Sequence, residues 1–167
     1  MNVTLRGRTE HFRTVTFDAK NNSVRLIEQR LLPHEFKIVG TKTFRETAAA
    51  ITDMVVRGAG AIGATAAYGL AQGALTFRGS DLKKFSAHMA VVYQTLADAR
   101  PTAVDPVNAM NDVRRKMTSG QTVAERQFLA LAALRTSCSS RQTASRPRRR
   151  CRDCRRRCRR YRRRRPW

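Results

Sequence analysis

The first 135 residues contain no cysteine; Cys138, Cys151, Cys154 and Cys158 all lie beyond them. No disulfide framework can support that part, and a reducing, cytoplasmic setting is the expectation. Long apolar runs are also missing. The longest, residues 59–75, is rich in Ala and Gly, is interrupted by Gln72, and falls short of the ~20 residues a membrane span needs. It reads as a buried helix. Met1–Gly7 carries one Arg with no apolar run behind it, so no signal peptide is expected. From Thr136 to Trp167 there is no lysine and one acid, Asp153, against 15 arginines.

That last imbalance changes the meaning of the net charge. The chain of 167 residues carries +22, which taken whole suggests a nucleic acid or an anionic membrane as partner. Divided, the segment from Thr136 onward carries +14 and residues 1–135 carry +8. The first part is therefore a moderately basic globular sequence, with 41% hydrophobic residues over the whole chain to build a core. The second has almost no aliphatic side chain to offset an ordering entropy of ~1–2 kcal/mol per residue, and disorder is expected. The expected organisation is a domain over residues 1–135 and a disordered Arg/Cys-rich tail over 136–167. GC-rich codons for an Ala-rich helix, read one base out of frame, yield Arg, Pro, Cys and Ser. A change of reading frame near Arg135–Cys138 is the corresponding expectation. Sequencing the locus tests it, and an intact frame with no alternative continuation excludes it.

Within the first part the hydrophobic period changes once. Residues 12–17 and 23–28 alternate, with Val24, Leu26 and Glu28 on one face, and Lys20-Asn21-Asn22 between them is a turn signal. Residues 35–39 alternate again, with Phe36 and Ile38 on one face. A small antiparallel sheet of about three strands follows. Thr43-Phe-Arg-Glu46 is then a capping box opening a helix that carries Phe44, Ala48, Ile51 and Val55 at helical spacing. Further helices are expected over 61–75, over 81–99 (Leu82, Phe85, Met89, Val92, Leu96), and from about Pro106 (Val107, Met110, Val113, Met117) to Gly120. Thr122-Val-Ala-Glu125 is a second capping box, and its helix should reach about Leu134.

Three motifs bear on chemistry. Cys151, Cys154 and Cys158 have the spacing of metal ligands, but the segment offers no histidine and no fourth ligand, so no metal site is assigned. The Arg run can neutralise phosphates of a nucleic acid without reading sequence, and no aromatic platform accompanies it. Gly58-Ala-Gly-Ala-Ile-Gly63 matches G-x-G-x-x-G, with Asp81 downstream at roughly the position of a ribose-binding acid. The segment before it reads as a helix rather than a strand, which argues against a dinucleotide site. The same residues, with Arg57 before them, form a Gly-rich turn opening a helix, where free amides and the macrodipole suit an anion. A tight helix–helix connection explains them equally well.

The string DMVVRGAGAIGATAAYGLA at 53–71 resembles the R-G-A-P-A-I-G segment of the S-methyl-5-thioribose-1-phosphate isomerases. Arg25–Pro33, with its Glu28-Gln29 pair before Leu32-Pro33, is similar to that family's hairpin strand. Arg100-Pro-Thr-Ala-Val104 is similar to its A-R-P-T-A-V segment. Ribose-1,5-bisphosphate isomerases and the regulatory subunits of the translation initiation exchange factor share the fold. The resemblance implies a small antiparallel sheet followed by a helical bundle, the N-terminal domain of a two-domain α/β isomerase. It also implies aldose–ketose isomerisation of a sugar phosphate in methionine salvage, no cofactor, and a homodimer for the full-length family. Arg57, Gly58, Ala59 and Arg100 would bind the substrate. Gly60 stands where the family has Pro. The family's catalytic cysteine, in a Cys-Asn-Gly-like loop, and its later aspartate have no counterpart here, so no catalytic residue is assigned and an inactive chain is expected. A fragment of this kind would leave apolar faces on the third and fourth helices uncovered. The alternative readings are a non-catalytic regulatory subunit, or nucleic-acid binding through the basic tail.

Overall fold

The computed structural model of the chain describes residues 2–5 and 8–142. Strands β1 (Asn2–Leu5) and β2 (Arg8–His11) pair as a separate antiparallel hairpin that the sequence pattern did not announce. Strands β3 (Val15–Asp18), β4 (Ser23–Ile27) and β5 (Ile38–Thr41) form an antiparallel sheet in that order. Five helices follow: α1 (Phe44–Thr52), α2 (Ala59–Thr76), α3 (Leu82–Asp98), α4 (Val104–Met117) and α5 (Val123–Gln142).

The β3–β4 turn forms as the Asn pair predicts. Asp18 Oδ1 accepts from Lys20 N at 3.0 Å, Asp18 Oδ2 accepts from Asn21 Nδ2 at 2.7 Å, and Asn22 takes φ 46°. The third strand departs from expectation. It begins at Ile38 rather than residue 35, and its inward face is Val39 and Thr41 rather than Phe36 and Ile38; Ile38 is 38% exposed. The cause is register: β4 places Leu26 opposite Val39 and Val24 opposite Thr41, and both β4 residues are fully buried. A slip of one residue in β5 would turn its whole buried set outward. Phe36 instead packs on Phe12 outside the sheet, ring centroids 4.8 Å apart.

Helix α2 is the axis of the fold. Every residue from Ile62 to Ala74 is buried, as an Ala/Gly-rich helix without a polar face requires. Its neighbours can come close because it lacks bulk where they cross. A Cβ at Gly73 would lie 2.5 Å from Val92 Cγ1, and one at Gly69 would lie 2.9 Å from Leu96 Cδ2. The stripes expected on the third and fourth helices turn inward: Phe85, Val92, Leu96, Met110 and Val113 are wholly buried. Apolar faces on these helices are thus covered by α2 and its neighbours rather than open, with Val91 and Val104 the exceptions. Fully burying a side chain such as Phe85 contributes about 1.5–3 kcal/mol.

One polar cluster crosses this core. Gln72, wholly buried, donates from Nε2 to Asn22 O (2.9 Å) and Thr41 O (3.0 Å), and its Oε1 accepts from Thr47 Oγ1 at 2.8 Å. Thr47 has one hydroxyl proton; with that proton on Gln72, the 2.7 Å contact to Thr41 Oγ1 is donated by Thr41. The Gln72 that breaks the apolar run therefore ties the sheet to α1 and α2.

Helix α5 runs on to Gln142 rather than ending near Leu134. Once nucleated, a helix gains a backbone bond for each added residue without needing an apolar face. The tail motifs from residue 143 onward, Cys151, Cys154 and Cys158 among them, lie outside the described residues. Among the described residues, no helix is long and apolar enough to cross a membrane.

Candidate anion-binding site

The site is built at the turn between α1 and α2. Helix α1 ends in a Schellman motif: Val55 N donates to Ala50 O (3.0 Å) and Met54 N to Ile51 O (3.2 Å), with Met54 left-handed at φ 61°. The end of β4 fastens this turn from below. Gln29 N donates to Val55 O at 2.9 Å, and Gln29 Oε1 accepts from Arg57 N. Arg30 Nη1 reaches Asp53 O at 3.5 Å while its Nε and Nη2 grip the buried carboxylate of Glu28 at 2.8 and 2.9 Å. The bonds from Arg30 hold the Glu28 carboxyl below the usual carboxylate value of 4.5, against the opposing effect of burial. The same carboxylate raises the Arg30 guanidinium further above its already high value.

Gly58 follows at φ 87°, ψ 133° as the residue before α2. A Cβ there would meet nothing within 4 Å, so glycine serves the backbone angle and leaves the space above it open. Ile62 N takes Gly58 O at 2.9 Å, and no side chain caps the helix. Among the described residues, the amides of Ala59, Gly60 and Ala61 therefore have no acceptor. Gly60 occupies the second position of α2, in the first turn where the missing N–H of a proline would have cost nothing.

Helix α4 starts beside α2. The Cβ that Gly63 lacks would lie 3.1 Å from Asp105 O, and α4 also begins without a side-chain cap, at Ala103. Arg100 precedes it in a turn closed by Ala103 N to Arg100 O at 3.0 Å, and its Nη1 points onto Met54 Sδ. Thr52 Oγ1 donates to Ala99 O at 3.3 Å from the same α1 end. Arg57 and Arg100, 43 positions apart in the chain, thus flank one turn. Arg57 is exposed and has no acidic partner among the described residues. Asp105 in the first turn of α4 compensates that helix's own dipole, so the freer positive end is that of α2.

This geometry separates the readings left open by the sequence. The G-x-G-x-x-G string follows a helix and a turn rather than a strand, which removes the dinucleotide fingerprint. Of the tight-connection reading, Gly63 carries close packing against Asp105, whereas Gly58 faces open space. Sequence reasoning did not single out Met54 or Arg30. Met54 has no local signal, because a left-handed methionine is imposed by the motif around it. Among the described residues no group of three His, Cys, Asp or Glu is placed to hold a metal ion.

Residues 55–147 match the initiation factor 2 subunit family. The chain belongs to this family. It is 43% identical over 115 residues to methylthioribose-1-phosphate isomerase 1 of Pseudothermotoga lettingae, a match covering 69% of this chain and 33% of that protein. It is 44% identical over 96 residues to a putative methylthioribose-1-phosphate isomerase of Pyrococcus abyssi, covering 58% and 27%. Among solved structures, 5-methylthioribose 1-phosphate isomerase from Pyrococcus horikoshii superposes with TM-score 0.72 at 36% identity, over 77% of this chain and 36% of that one. The translation initiation factor eIF-2B subunit delta from A. fulgidus superposes with TM-score 0.72 at 28% identity, over 78% and 37%. The chain spans roughly a third of the length of each of these family members.

Proposed function

We propose that residues 1–135 form the substrate-holding N-terminal domain of a methylthioribose-1-phosphate isomerase. Arg57 and Arg100 grip the sugar phosphate over the free amides of Ala59, Gly60 and Ala61, and Gly58 gives the ligand room. The observation that carries this reading is the uncapped, open start of α2 beside an exposed arginine without an acid partner. The reaction of the isomerase relatives breaks the ring C–O bond. C2 loses its hydrogen and becomes a carbonyl, while C1 gains one and becomes the phosphate-bearing CH2. Nothing is oxidised overall, but the proton transfers need an acid and a base of tuned pKa. The Glu28 carboxylate near the turn is buried and bound by Arg30, so it serves the scaffold, and no catalytic role is assigned to a residue of this chain. The chain alone is expected to bind the substrate and leave it unconverted.

The experiment is a titration of the 167-residue chain with methylthioribose 1-phosphate, followed by NMR of both protein and sugar. Binding that Arg57→Ala weakens, with no ketose formed, agrees with the reading. Turnover by the chain would place acid–base groups where none is assigned. Absence of binding would favour the second reading, a non-catalytic subunit. The equal superposition on the A. fulgidus initiation-factor subunit is what keeps that second reading in play.

A further inference from the structure

The left-handed residue that ends α1 is a methionine. Met54, at φ 61°, is the residue of the Schellman motif at which glycine is the usual occupant, because a Cβ is strained there. Packing does not account for it. The apolar seal of the turn is Val55, 5% exposed, whereas Met54 is 37% exposed. An L-residue strained in this way, with its side chain outside the core, points to a role for that side chain. Its Sδ accepts from Arg100 Nη1. The main chain around Arg100 is already set, by Arg100 N to Ala97 O at 3.3 Å, Ala103 N to Arg100 O at 3.0 Å and Thr52 Oγ1 to Ala99 O at 3.3 Å. Only the guanidinium remains to be placed, and among the described residues it makes no ion pair.

We infer that Met54 is a positioning residue for Arg100, its thioether holding the guanidinium at the α1–α2 turn with the charge free for an anion. The inference rests on the reading of that turn as the phosphate site. A thioether is a weak and neutral acceptor. It orders a guanidinium without cancelling its charge, as a carboxylate would, and yields readily to a stronger, anionic acceptor. Arg30 shows the other arrangement: bound through Nε and Nη2 to the Glu28 carboxylate, it is committed to the scaffold. Glycine at position 54 would relax the backbone and leave Arg100 unheld, so stability and affinity oppose each other at this residue.

The test is a titration of the full nitrogen-15-labelled chain with inorganic phosphate. It is read at the amides of Ala59, Gly60 and Ala61, so that binding by the arginines after Thr136 does not enter. The native chain is compared with Met54→Gly, Met54→Leu, Arg100→Ala and the combination of Met54→Gly with Arg100→Ala. Met54→Gly is expected to raise Tm and yet weaken phosphate about three- to tenfold, the effect of freeing a long side chain that binding must order again. A merely structural role for Met54 would move stability and affinity together. Met54→Leu keeps the left-handed angle and the bulk but removes the acceptor, and should lose the same affinity without the rise in Tm. With Arg100 already replaced by Ala, Met54→Gly should change affinity by less than about twofold. Unchanged affinity in Met54→Gly or in Met54→Leu, or a full loss in the Arg100→Ala background, would overturn the inference. One further reading needs no ligand. The Arg100 Nε signal should relax as an ordered group in the native chain and as a mobile one in both Met54 variants, and equal order in all three would overturn the positioning role. Failure of the native chain to bind phosphate would overturn the reading of the site instead, and the Nε signal would then still decide whether Met54 holds Arg100.

Discussion

The helix starts of this chain fall into two kinds. At α1, Thr43 Oγ1 accepts from Glu46 N at 3.2 Å and Glu46 reaches back to Lys42 N at 2.8 Å. At α3, Asp81 accepts from Lys83 N at 2.8 Å, and at α5 Thr122 and Glu125 repeat the box of α1. At α2 and α4 no side chain caps the helix, and these two starts lie side by side with Arg57 and Arg100 in front of them. The capped starts satisfy their amides internally and serve stability. The uncapped start of α2 leaves its first amides without an acceptor among the described residues, which is what the proposed ligand would supply, and it follows a turn whose positive-φ residues are Met54 and Gly58. The difference teaches where a fold spends local stability: a missing cap is a cost of about 1 kcal/mol unless something external fills it.

The sharpest way to break the comparison is Arg57→Ala. Its exposed side chain has no acidic partner, so thermal stability should stay unchanged while phosphate affinity falls by about 1.5–3 kcal/mol, tenfold or more, by calorimetric titration. Gly58→Ala acts on the backbone instead. With φ at 87° and no atom within 4 Å, the cost is conformational, about 1–3 kcal/mol, and a lowered Tm should show it. Thr43→Ala is the mirror image of Arg57→Ala: about 1 kcal/mol of stability lost in urea melts, phosphate affinity kept. Met54→Gly should run the other way and stabilise by about 1 kcal/mol, since the left-handed residue of a Schellman turn would then be unstrained. The smallest effect is one of pH. Because the Glu28 carboxyl is held below 4.5, its contribution is complete above that value and fades as pH falls through its lower folded-state value. Melts of the native chain and of Glu28→Gln between neutral pH and pH 3 should therefore converge as the pH drops.

The helical half of the fold was legible because its signals are local. Two capping boxes and the 3-4 spacing of Phe85, Met89, Val92 and Leu96 act within a few residues, and the burial of those four follows the spacing. The sheet was less legible because register is not local. Only the pairing with β4 decides that Val39 and Thr41 face inward, and Phe36 and Ile38 alternate just as well in the sequence. The site was half visible. Resemblance singled out Arg57, Gly58, Ala59 and Arg100, and the fold brings both arginines to one turn. The means by which it does so, the left-handed Met54 under Arg100 and the Glu28–Arg30 pair beneath Asp53, depends on contacts between distant segments that no window of sequence contains.

The central claim is that the α2 start is a ligand site and the capped starts are not. The most direct measurement is a titration of the nitrogen-15-labelled chain with inorganic phosphate, reading every amide. The account predicts saturable shifts concentrated at Gly58, Ala59, Gly60 and Ala61, with smaller ones near Arg100, and none at the starts after Thr43, Asp81 and Thr122. Shifts of equal size at all five starts, or shifts confined to the arginines after Thr136, would contradict it.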